Sequence, residues 1–370
     1  MLLLVTQVFA DGGIQRFNKT LLTACERLPL ECDVLSLADS DRTIPRRLPE
    51  SNTNVRGFGR DKIRFAWAAA RAILGGGYDV VIVGHVHMLS MVAGILALRA
   101  FSGLKAMLVT HGVEVWTGLK GLRRRSLAAL DRILCVSDYT RLMIHQQAPE
   151  LDGARFALFP NALSESWVAR QAASEATALA NTGPELPQRF ILAVARLMRH
   201  DRTKGIVTVI EALSMLEDRE LHYVIAGNGD DVDFLRQHAA RHNVADRVHF
   251  LGTVSDTRLI DLYRRCRAFV LPSGQEGFGI VFLEAMYFGA PVIAAREKGA
   301  VDVVQHGSTG LLVGFGDVIA LKDAIDRVLL DASLRERLRE RAQLTVTGRG
   351  EFTFDAFVAR LGALLDVPHD

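Results

Sequence analysis

The chain has 370 residues, a formal charge of +2 and 49% hydrophobic residues. This length predicts two domains with their own cores, and the hydrophobic content excludes a largely disordered chain. The near-neutral total charge gives no support to nucleic-acid binding, so no nucleic-acid partner is expected.

The charge is uneven, because residues 1–165 carry 20 Lys/Arg against 15 Asp/Glu. Two basic clusters in this half are suited to an anionic membrane surface or an acidic substrate, and solvated helix faces explain them equally well. These clusters are Arg46, Arg47, Arg56, Arg60, Lys62 and Arg64, and Lys120, Arg123, Arg124 and Arg125.

The first ten residues, MLLLVTQVFA, lack the basic start of a signal peptide and are predicted to form the first strand. The longest apolar stretch, around residues 88–98, is too short to span a bilayer. The cysteines form no metal-binding spacing and are predicted to be buried, reduced thiols of a cytoplasmic protein. They are Cys25, Cys32, Cys135 and Cys266.

Short apolar runs alternate with longer amphipathic ones through the first half. The predicted strands are 2–8, 33–37, 80–84, 106–110, 133–137 and 156–160. The predicted helices are 14–28, 62–74, 88–101, 120–130 and 139–147. Such alternation is typical of a parallel sheet wound with helices on both faces.

The alternation lapses at SESWVARQAASEATALANTGPE and then restarts. The restarted strands are predicted at 190–195, 222–226, 248–251, 268–271, 292–294 and 310–313, with late helices at 318–330, 334–345 and 354–365. The predicted class is α/β, with two doubly wound Rossmann-like domains facing a central cleft. The first domain covers 1–165, a linker 166–186 and the second domain 187–348. The last segment, 349–370, holds a helix expected to pack back on the first domain.

Several nucleotide-binding and hydrolase motifs are absent. The chain has no P-loop, no G-x-S-x-G elbow and no H-E-x-x-H. Gly227 and Gly229 in GNGDDV lack the third glycine of a dinucleotide fingerprint, so NAD binding is not expected.

Two loops that follow predicted strands are suited to phosphate. Gly12 and Gly13 would let a ligand approach the backbone at a helix start, although a tight strand-to-helix turn would also use them. Arg196 and Lys204 follow the first strand of the second half. Two cations there suit a diphosphate, and ordinary surface charge is the alternative.

Two glutamates lie in SGQEGFGIVFLEAMYFGAPVIAA, which starts at Ser273. Glu276 is predicted on a loop, and Glu284 on a buried apolar helix that begins near Ile280. A buried carboxylate must be paired or bound to a ligand. Carboxylates bind sugar hydroxyls and helix starts bind anions, which favours a polyol carrying a phosphate over a metal pair.

The sequence resembles the family-4 retaining glycosyltransferases, which have the two-domain GT-B fold. The most specific feature is the E-x7-E motif from Glu276 to Glu284. VTHGVEVW, LCVSDYTR, AVARLMRHDRTKG, YVIAGNGDD and GAVDVVQHGSTGLLV accompany it in the family's order. The resemblance covers essentially the whole chain.

This resemblance implies roles for individual residues. Arg196 and Lys204 would neutralise the nucleotide diphosphate in place of a metal, and His111 would lie near the donor sugar. Glu276 would bind the donor sugar and Glu284 the ribose hydroxyls. The remaining donor contacts would come from Gly12, Gly13, Thr253, Val254, Phe278, Gly279 and Ile280. His85 and His87 are candidates for the acceptor side, with a structural role as the alternative.

The implied activity is retaining transfer of a hexose from a UDP- or GDP-sugar to a hydroxyl acceptor, without a metal or other cofactor. The acceptor would be a glycan or lipid-linked sugar of cell-envelope or exopolysaccharide synthesis. The protein would be cytoplasmic, with peripheral binding to the inner membrane face as a further hypothesis. A nucleotide-sugar 2-epimerase and a non-catalytic nucleotide-sugar-binding protein are the alternatives. Lys298-Gly299-Ala300 departs from the family's usual Gly-Gly, and PNALSESW lacks its usual Gly-Val-Asp.

Overall fold

A computed structural model describes residues 1–10, 12–40, 42, 44, 53–98, 103–164 and 186–367. The chain forms two compact units. The N-terminal unit comprises Met1–Glu165 and Phe354–Asp370, and the C-terminal unit comprises Ser166–Thr353. Nearly all of the predicted linker, and Arg46 and Arg47 of the first basic cluster, lie outside the described residues.

The N-terminal unit is built on a seven-stranded parallel sheet with the order β3-β2-β1-β4-β5-β6-β7. Its strands are β1 (Leu2–Val5), β2 (Asp33–Ser36), β3 (Asn54–Gly57), β4 (Val80–Val83), β5 (Lys105–Thr110), β6 (Arg132–Cys135) and β7 (Phe156–Leu158). Strands β1 and β4 are adjacent and fully buried. The winding direction reverses between them, and such reversals create ligand crevices at the carboxyl ends of strands.

Six helices of this unit alternate with its strands along the chain. They are α1 (Gly13–Arg27), α2 (Lys62–Leu74), α3 (Val86–Leu98), α4 (Val113–Trp116), α5 (Gly121–Ser126) and α6 (Asp138–Gln147). The strand and helix predictions for this half are confirmed in type and differ by a few residues at their ends.

Three details of the N-terminal unit differ from prediction, and one of them is the short helix α4, which was not predicted. Strand β3 was not predicted, because it pairs only with β2 at the sheet edge and alternates exposed with half-buried side chains. It therefore lacks the apolar run that identifies a buried strand. The predicted helix 120–130 is the short α5 followed by a 3-10 turn at Leu127–Ala129.

The C-terminal unit holds a six-stranded parallel sheet with the order β10-β9-β8-β11-β12-β13. Its strands are β8 (Phe190–Val194), β9 (His222–Ala226), β10 (Val248–Gly252), β11 (Ala268–Leu271), β12 (Val292–Ala295) and β13 (Gly310–Val313). The six predicted strands are confirmed, and the winding reverses between β8 and β11.

The helices of the C-terminal unit also follow the predicted alternation. They are α7 (Ile206–Met215), α8 (Val232–Arg241), α9 (Asp256–Arg265), α10 (Ile280–Tyr287), α11 (Ala300–Val303), α12 (Val318–Leu330) and α13 (Ala332–Val346). Within the described ranges of both units, no helix has the length and apolar character needed to cross a membrane.

The four cysteines are buried and form no disulfide, as predicted. Burial raises the pKa of the Cys135 thiol to about 12. That thiol is therefore protonated at neutral pH and is a poor nucleophile.

The last helix, α14 (Phe354–Leu365), packs in the core of the N-terminal unit. Phe357 is fully buried, with its ring centroid 5.8 Å from that of Phe17 and 4.5 Å from that of Phe159. Aromatic pairs at these separations stabilise a core beyond the area they bury. The chain thus returns to its first unit to complete that unit's core.

We predict that Phe357→Ala destabilises the N-terminal unit by about 3–5 kcal/mol, because it leaves a cavity among packed rings. Leu344→Ala is the control, since Leu344 is exposed on α13 and its truncation should change stability by less than about 0.5 kcal/mol. Calorimetric unfolding of both variants is the measurement. Equal effects of the two changes would contradict this role of α14.

Candidate active site

The central contact of the C-terminal unit joins two residues that are far apart in sequence. The Lys204 Nζ lies 3.1 Å from Glu276 Oε2, with 16% and 17% of the two side chains exposed. Lys204 lies on the loop after β8, and Glu276 on the loop after β11. Because these strands are neighbours where the winding reverses, their following loops meet at one edge of the sheet.

Backbone contacts hold these two loops together. The Gly274 N–H donates to the Thr203 carbonyl at 2.7 Å. Gly205 has φ +73°, and a Cβ there would lie 2.3 Å from the Pro272 carbonyl oxygen. Only glycine permits this approach at no cost, so Gly205 helps to set the position of Lys204.

The loop that follows β12 supports Glu276 from another direction. The Gly299 N–H donates to the Glu276 carbonyl at 3.0 Å, and a Cβ on Gly299 would lie 2.1 Å from the Gly277 carbonyl oxygen. Lys298 has φ +58°, a conformation that glycine adopts readily. Lys298 therefore keeps a glycine-like backbone directly before Gly299.

The GFG segment turns the chain into α10. Gly279 precedes this helix with φ +92°, and a Cβ there would lie 2.3 Å from the Phe282 ring and 3.2 Å from Glu276 Cγ. The first N–H groups of a helix have no carbonyl partner within the helix and carry partial positive charge. The loop bearing Glu276 therefore leads directly into an anion-favouring helix start, with Phe278 buried beside it.

The two glutamates of the E-x7-E motif have separate partners. Glu284 is 1% exposed on α10, and its Oε2 accepts a hydrogen bond of 2.8 Å from the Tyr263 hydroxyl. The prediction that a carboxylate on this apolar helix must be paired is confirmed. Tyr263, on α9, is a partner that sequence reasoning missed, since nothing in the sequence links it to a helix that begins 17 residues later.

Three cations of the loop after β8 line one small cavity, namely Arg196, Arg202 and Lys204. Arg196 is exposed. Arg202 binds the buried Asp231 through hydrogen bonds of 2.7, 2.9 and 3.2 Å, and its guanidinium lies 3.6 Å from the Phe234 ring centroid. Arg202 therefore holds the loop in place.

Gly227 and Gly229 serve close packing. A Cβ at Gly227 would lie 1.8 Å from the Ala195 carbonyl oxygen, and one at Gly229 would lie 1.9 Å from that of Leu197. The Gly227 N–H also donates to the Gly252 carbonyl at 2.8 Å, immediately before Thr253 and Val254. Thr253 is exposed and Val254 half-buried on this loop.

The remaining predicted residues lie on the N-terminal unit. Gly12 has φ +151° and precedes α1, and Gly13 is the first residue of that helix. A Cβ built on Gly13 meets no atom within 4 Å, so the surrounding space is open. Both glycines are therefore at a helix start, as predicted, where the chain passes from β1 into α1.

The unit also gathers the three predicted histidines. The ring centroids of His85 and His87 are 4.7 Å apart, and those of His85 and His111 are 6.0 Å apart in a stacked arrangement. His85 and His87 follow β4, and His111 follows the adjacent strand β5. Neighbouring strand ends thus bring together residues that the sequence separates.

Burial favours the neutral form of these histidines. Burial lowers the pKa of His85 to about 4, and burial likewise lowers the pKa of His87 and of His111. The geometry agrees, because the His87 N–H donates to His85 Nδ1 at 3.1 Å. His111 Nε2 lies 2.9 Å from the Gly84 carbonyl oxygen, which can only accept, so that nitrogen carries the proton.

Glu114 is a further residue of this cluster that sequence reasoning did not single out. Its Oε1 accepts hydrogen bonds from the backbone N–H groups of His111 at 2.5 Å and of Gly112 at 3.2 Å. Its position three residues after His111 at the start of α4 is a capping arrangement, and that spacing was a usable signal.

Each unit of the chain matches a known protein family. Residues 11–166 match the Glycosyltransferase Family 4 model, and residues 176–345 match the Glycosyl transferases group 1 model. A GDP-mannose-dependent alpha-(1-6)-phosphatidylinositol monomannoside mannosyltransferase of Mycobacterium tuberculosis is 31% identical over 300 residues, which cover 73% of this chain and 72% of that protein. The chain therefore belongs to the group 1/family 4 glycosyltransferases.

Other similarities extend this finding. An uncharacterized glycosyltransferase of Methanocaldococcus jannaschii is 35% identical over 165 residues, which cover 44% of this chain and 42% of that protein. The crystal structure of Anabaena HepE in complex with UDP and glucose superposes with a TM-score of 0.75 at 18% identity, covering 99% of both chains. The predicted GT-B fold of two Rossmann-like domains is confirmed.

We predict that Tyr263→Phe lowers the free energy of unfolding by about 1.5–3 kcal/mol, because a buried carboxylate loses its hydroxyl donor. Tyr223→Phe is the matched control. Tyr223 is equally buried, and its hydroxyl has no hydrogen-bond partner among the described residues, so its removal should be neutral or stabilising. Urea unfolding measures both changes, and equal losses would contradict a special role for the Tyr263–Glu284 bond.

We predict that acid destabilises the N-terminal unit through His85. Its pKa is near 6.5 when unfolded and about 4 when folded, so the unfolded chain binds more protons between these values. Stability is therefore highest above pH 6.5 and is lost as the pH falls toward 4.

His85→Gln removes this titration and can still accept the His87 N–H. Between pH 7.5 and pH 5, the wild type should lose about 2 kcal/mol more than this variant in urea unfolding. The exposed His145, changed to Gln, should leave the wild-type pH dependence intact. Identical pH dependence of wild type and His85→Gln would exclude a neutral, buried His85.

Proposed function

We propose that the chain is a retaining glycosyltransferase that moves a hexose from a nucleotide diphosphate sugar to a hydroxyl acceptor. The observation that carries the proposal is the Lys204–Glu276 pair at the sheet reversal, beside the start of α10. A cation, a carboxylate and a helix start together suit a diphosphate joined to a sugar. Because the chain belongs to the group 1/family 4 glycosyltransferases, we assign this arrangement to binding of the nucleotide-sugar donor.

In the proposed reaction, the bond between the sugar's anomeric carbon and the leaving phosphate oxygen breaks. The bond to the acceptor oxygen forms on the same face, and the acceptor's proton passes to the leaving phosphate. The main requirement is stabilisation of the negative charge on that phosphate. Lys204, Arg196 and the N–H groups at the start of α10 supply it, so no metal ion is needed for transfer.

The two glutamates bind different parts of the donor in this proposal. Glu276 accepts hydrogen bonds from the sugar hydroxyls and exchanges its contact with Lys204 for contacts with substrate. Glu284 binds the ribose hydroxyls, with the Tyr263 hydrogen bond fixing the orientation of its carboxylate. The backbone at Phe278, Gly279 and Ile280 binds the sugar and the phosphate. The loop at Thr253 and Val254 binds the base of the nucleotide.

Several residues of the N-terminal unit are further candidates for substrate binding. Gly12 and Gly13 are proposed to let a diphosphate approach a helix start, and the open space at Gly13 supports this assignment. His111 is proposed to bind the donor sugar, and His85 and His87 to bind the acceptor. A neutral imidazole offers one donor and one acceptor, which suits recognition of sugar hydroxyls.

The donor is a UDP- or GDP-sugar. A relative acts in a GDP-mannose-dependent reaction, and a similar structure holds UDP and glucose. A mannosyltransferase acting on a phosphatidylinositol mannoside also supports a glycan or lipid-linked acceptor of envelope or exopolysaccharide synthesis.

A thermal-shift panel of UDP- and GDP-sugars, followed by transfer assays with the stabilising donors, tests the proposal. Glu276→Gln should lower kcat by at least about 100-fold, because it removes a charge at the reacting sugar. It should leave the affinity for the free nucleotide nearly unchanged, whereas Glu284→Gln should weaken that affinity. Glu340→Gln, on the exposed surface of α13, is the control and should behave as wild type. Stabilisation by no nucleotide sugar would refute the proposal.

We also propose that the N-terminal unit binds an anionic membrane surface through α2. Ile63 is 82% exposed and Trp67 is 63% exposed on this helix. Exposed basic residues lie on this helix or shortly before it, namely Arg56, Arg60, Lys62, Arg64 and Arg71. Exposed aromatic and aliphatic side chains with a basic rim are typical of peripheral membrane helices. Phe58 and Phe65, which lie beside these basic residues in the sequence, do not join this surface, because both pack in the core.

We predict that the protein floats with phosphatidylglycerol-containing vesicles at low salt and less so at high salt, because the basic residues are screened. The double variant Ile63→Ser/Trp67→Ser should lose most of this binding. Leu344→Ser, an exposed position on the C-terminal unit, should retain it. Absence of flotation by the wild type at low salt, or equal flotation of the double variant, would contradict the membrane proposal.

A further inference from the structure

A second polar cluster lies on α7 and α8 of the C-terminal unit. Glu211, on α7, and His238 and His242, at the end of α8, are all half-buried. One ligand atom from each of the three side chains lies within 4.8 Å of the other two. The proposed transfer reaction uses none of these residues.

The spacing of the two histidines follows from helix geometry. Residues four apart lie on the same face of an α-helix, one turn from each other. The His242 N–H donates to the His238 carbonyl at 3.2 Å, which continues the helical pattern to His242, and the ring centroids are 4.6 Å apart. Both imidazoles therefore face the same side.

Glu211 completes the set from the neighbouring helix. Its Oε1 lies 2.9 Å from His238 Nε2. Two ligand atoms bound to one tetrahedral zinc ion, each at about 2.0–2.2 Å, lie about 3.3 Å apart. The observed separations, from 2.9 Å to below 4.8 Å, bracket that value, so rotations of the side chains suffice to reach it.

We propose that Glu211, His238 and His242 form a binding site for a divalent transition-metal ion, and that this ion is zinc. Two imidazoles and one carboxylate suit zinc, and three protein ligands leave its fourth position to water. On binding, His238 carries its proton on Nδ1 and presents the Nε2 lone pair to the metal. Each bond that forms is a coordination bond.

The proposed metal ion links two helices, α7 and α8. Glu211 lies seven residues after Lys204, which corresponds to about 10 Å along a helix axis. The metal therefore does not contact the donor site. The metal joins α7, which begins beside Lys204, to α8, which follows Asp231. It therefore stabilises the two helices that follow the loops after β8 and β9. The proposed metal-free transfer chemistry and this structural site are independent.

The test uses the full-length protein after treatment with a chelator. Isothermal titration with Zn²⁺ should give one site, and Co²⁺ should give the visible absorption of a tetrahedral complex. His242→Ala and Glu211→Gln should each weaken zinc binding by at least about 10-fold, because loss of even an outer-shell partner has effects of that size. His145→Ala removes an exposed histidine of the other unit and should bind zinc as the wild type does.

Circular dichroism of each variant separates loss of the site from loss of the fold. His242 follows the last turn of α8, so His242→Ala should retain the wild-type spectrum. Zinc should raise the Tm of the wild type and of His145→Ala, and should leave the Tm of folded His242→Ala nearly unchanged. Absence of stoichiometric zinc binding by the wild type, or equal zinc affinity in folded His242→Ala, would overturn the proposal.

Discussion

The candidate active site depends on the contact between Lys204 and Glu276. The pair exists because β8 and β11 are adjacent at the point where the winding of the sheet reverses, so that loops far apart in sequence end at the same edge. An ammonium and a carboxylate that are each mostly buried must satisfy one another when no substrate is bound. A substrate with both an anionic and a hydroxylated part can replace this contact on both sides.

Glycines make that contact possible. Gly205, Gly279 and Gly299 each lie where a Cβ would come within 2.3 Å of a neighbouring atom. Gly205 and Gly299 let three loops approach at backbone distance, and Gly279 leaves room for the Phe282 ring. Lys298, in the loop after β12, also has a positive φ, which is a backbone conformation that favours glycine. The positions of the charged side chains are therefore determined largely by glycines, which have no side chain that could bind a substrate.

Much of the fold could be predicted from hydrophobic periodicity, because buried parallel strands are continuous apolar runs and the helices between them are amphipathic. The edge strand β3 was missed because it is half exposed. The site residues were indicated by motif, but their partners were not. Tyr263 and Asp231 are ordinary residues in sequence, and only the packing of α9 against α10 and of the loops after β8 and β9 gives them a role.

Retaining transfer from a nucleotide sugar is tested most directly by the release of free nucleotide from a UDP- or GDP-sugar without acceptor, followed by NMR of the released sugar's anomeric configuration. We predict slow release with retained configuration, and a rate at least about 100-fold lower in Lys204→Ala, since the negative charge on the leaving phosphate loses its cation. Lack of release from every donor, or an unchanged rate in folded Lys204→Ala, would contradict this prediction.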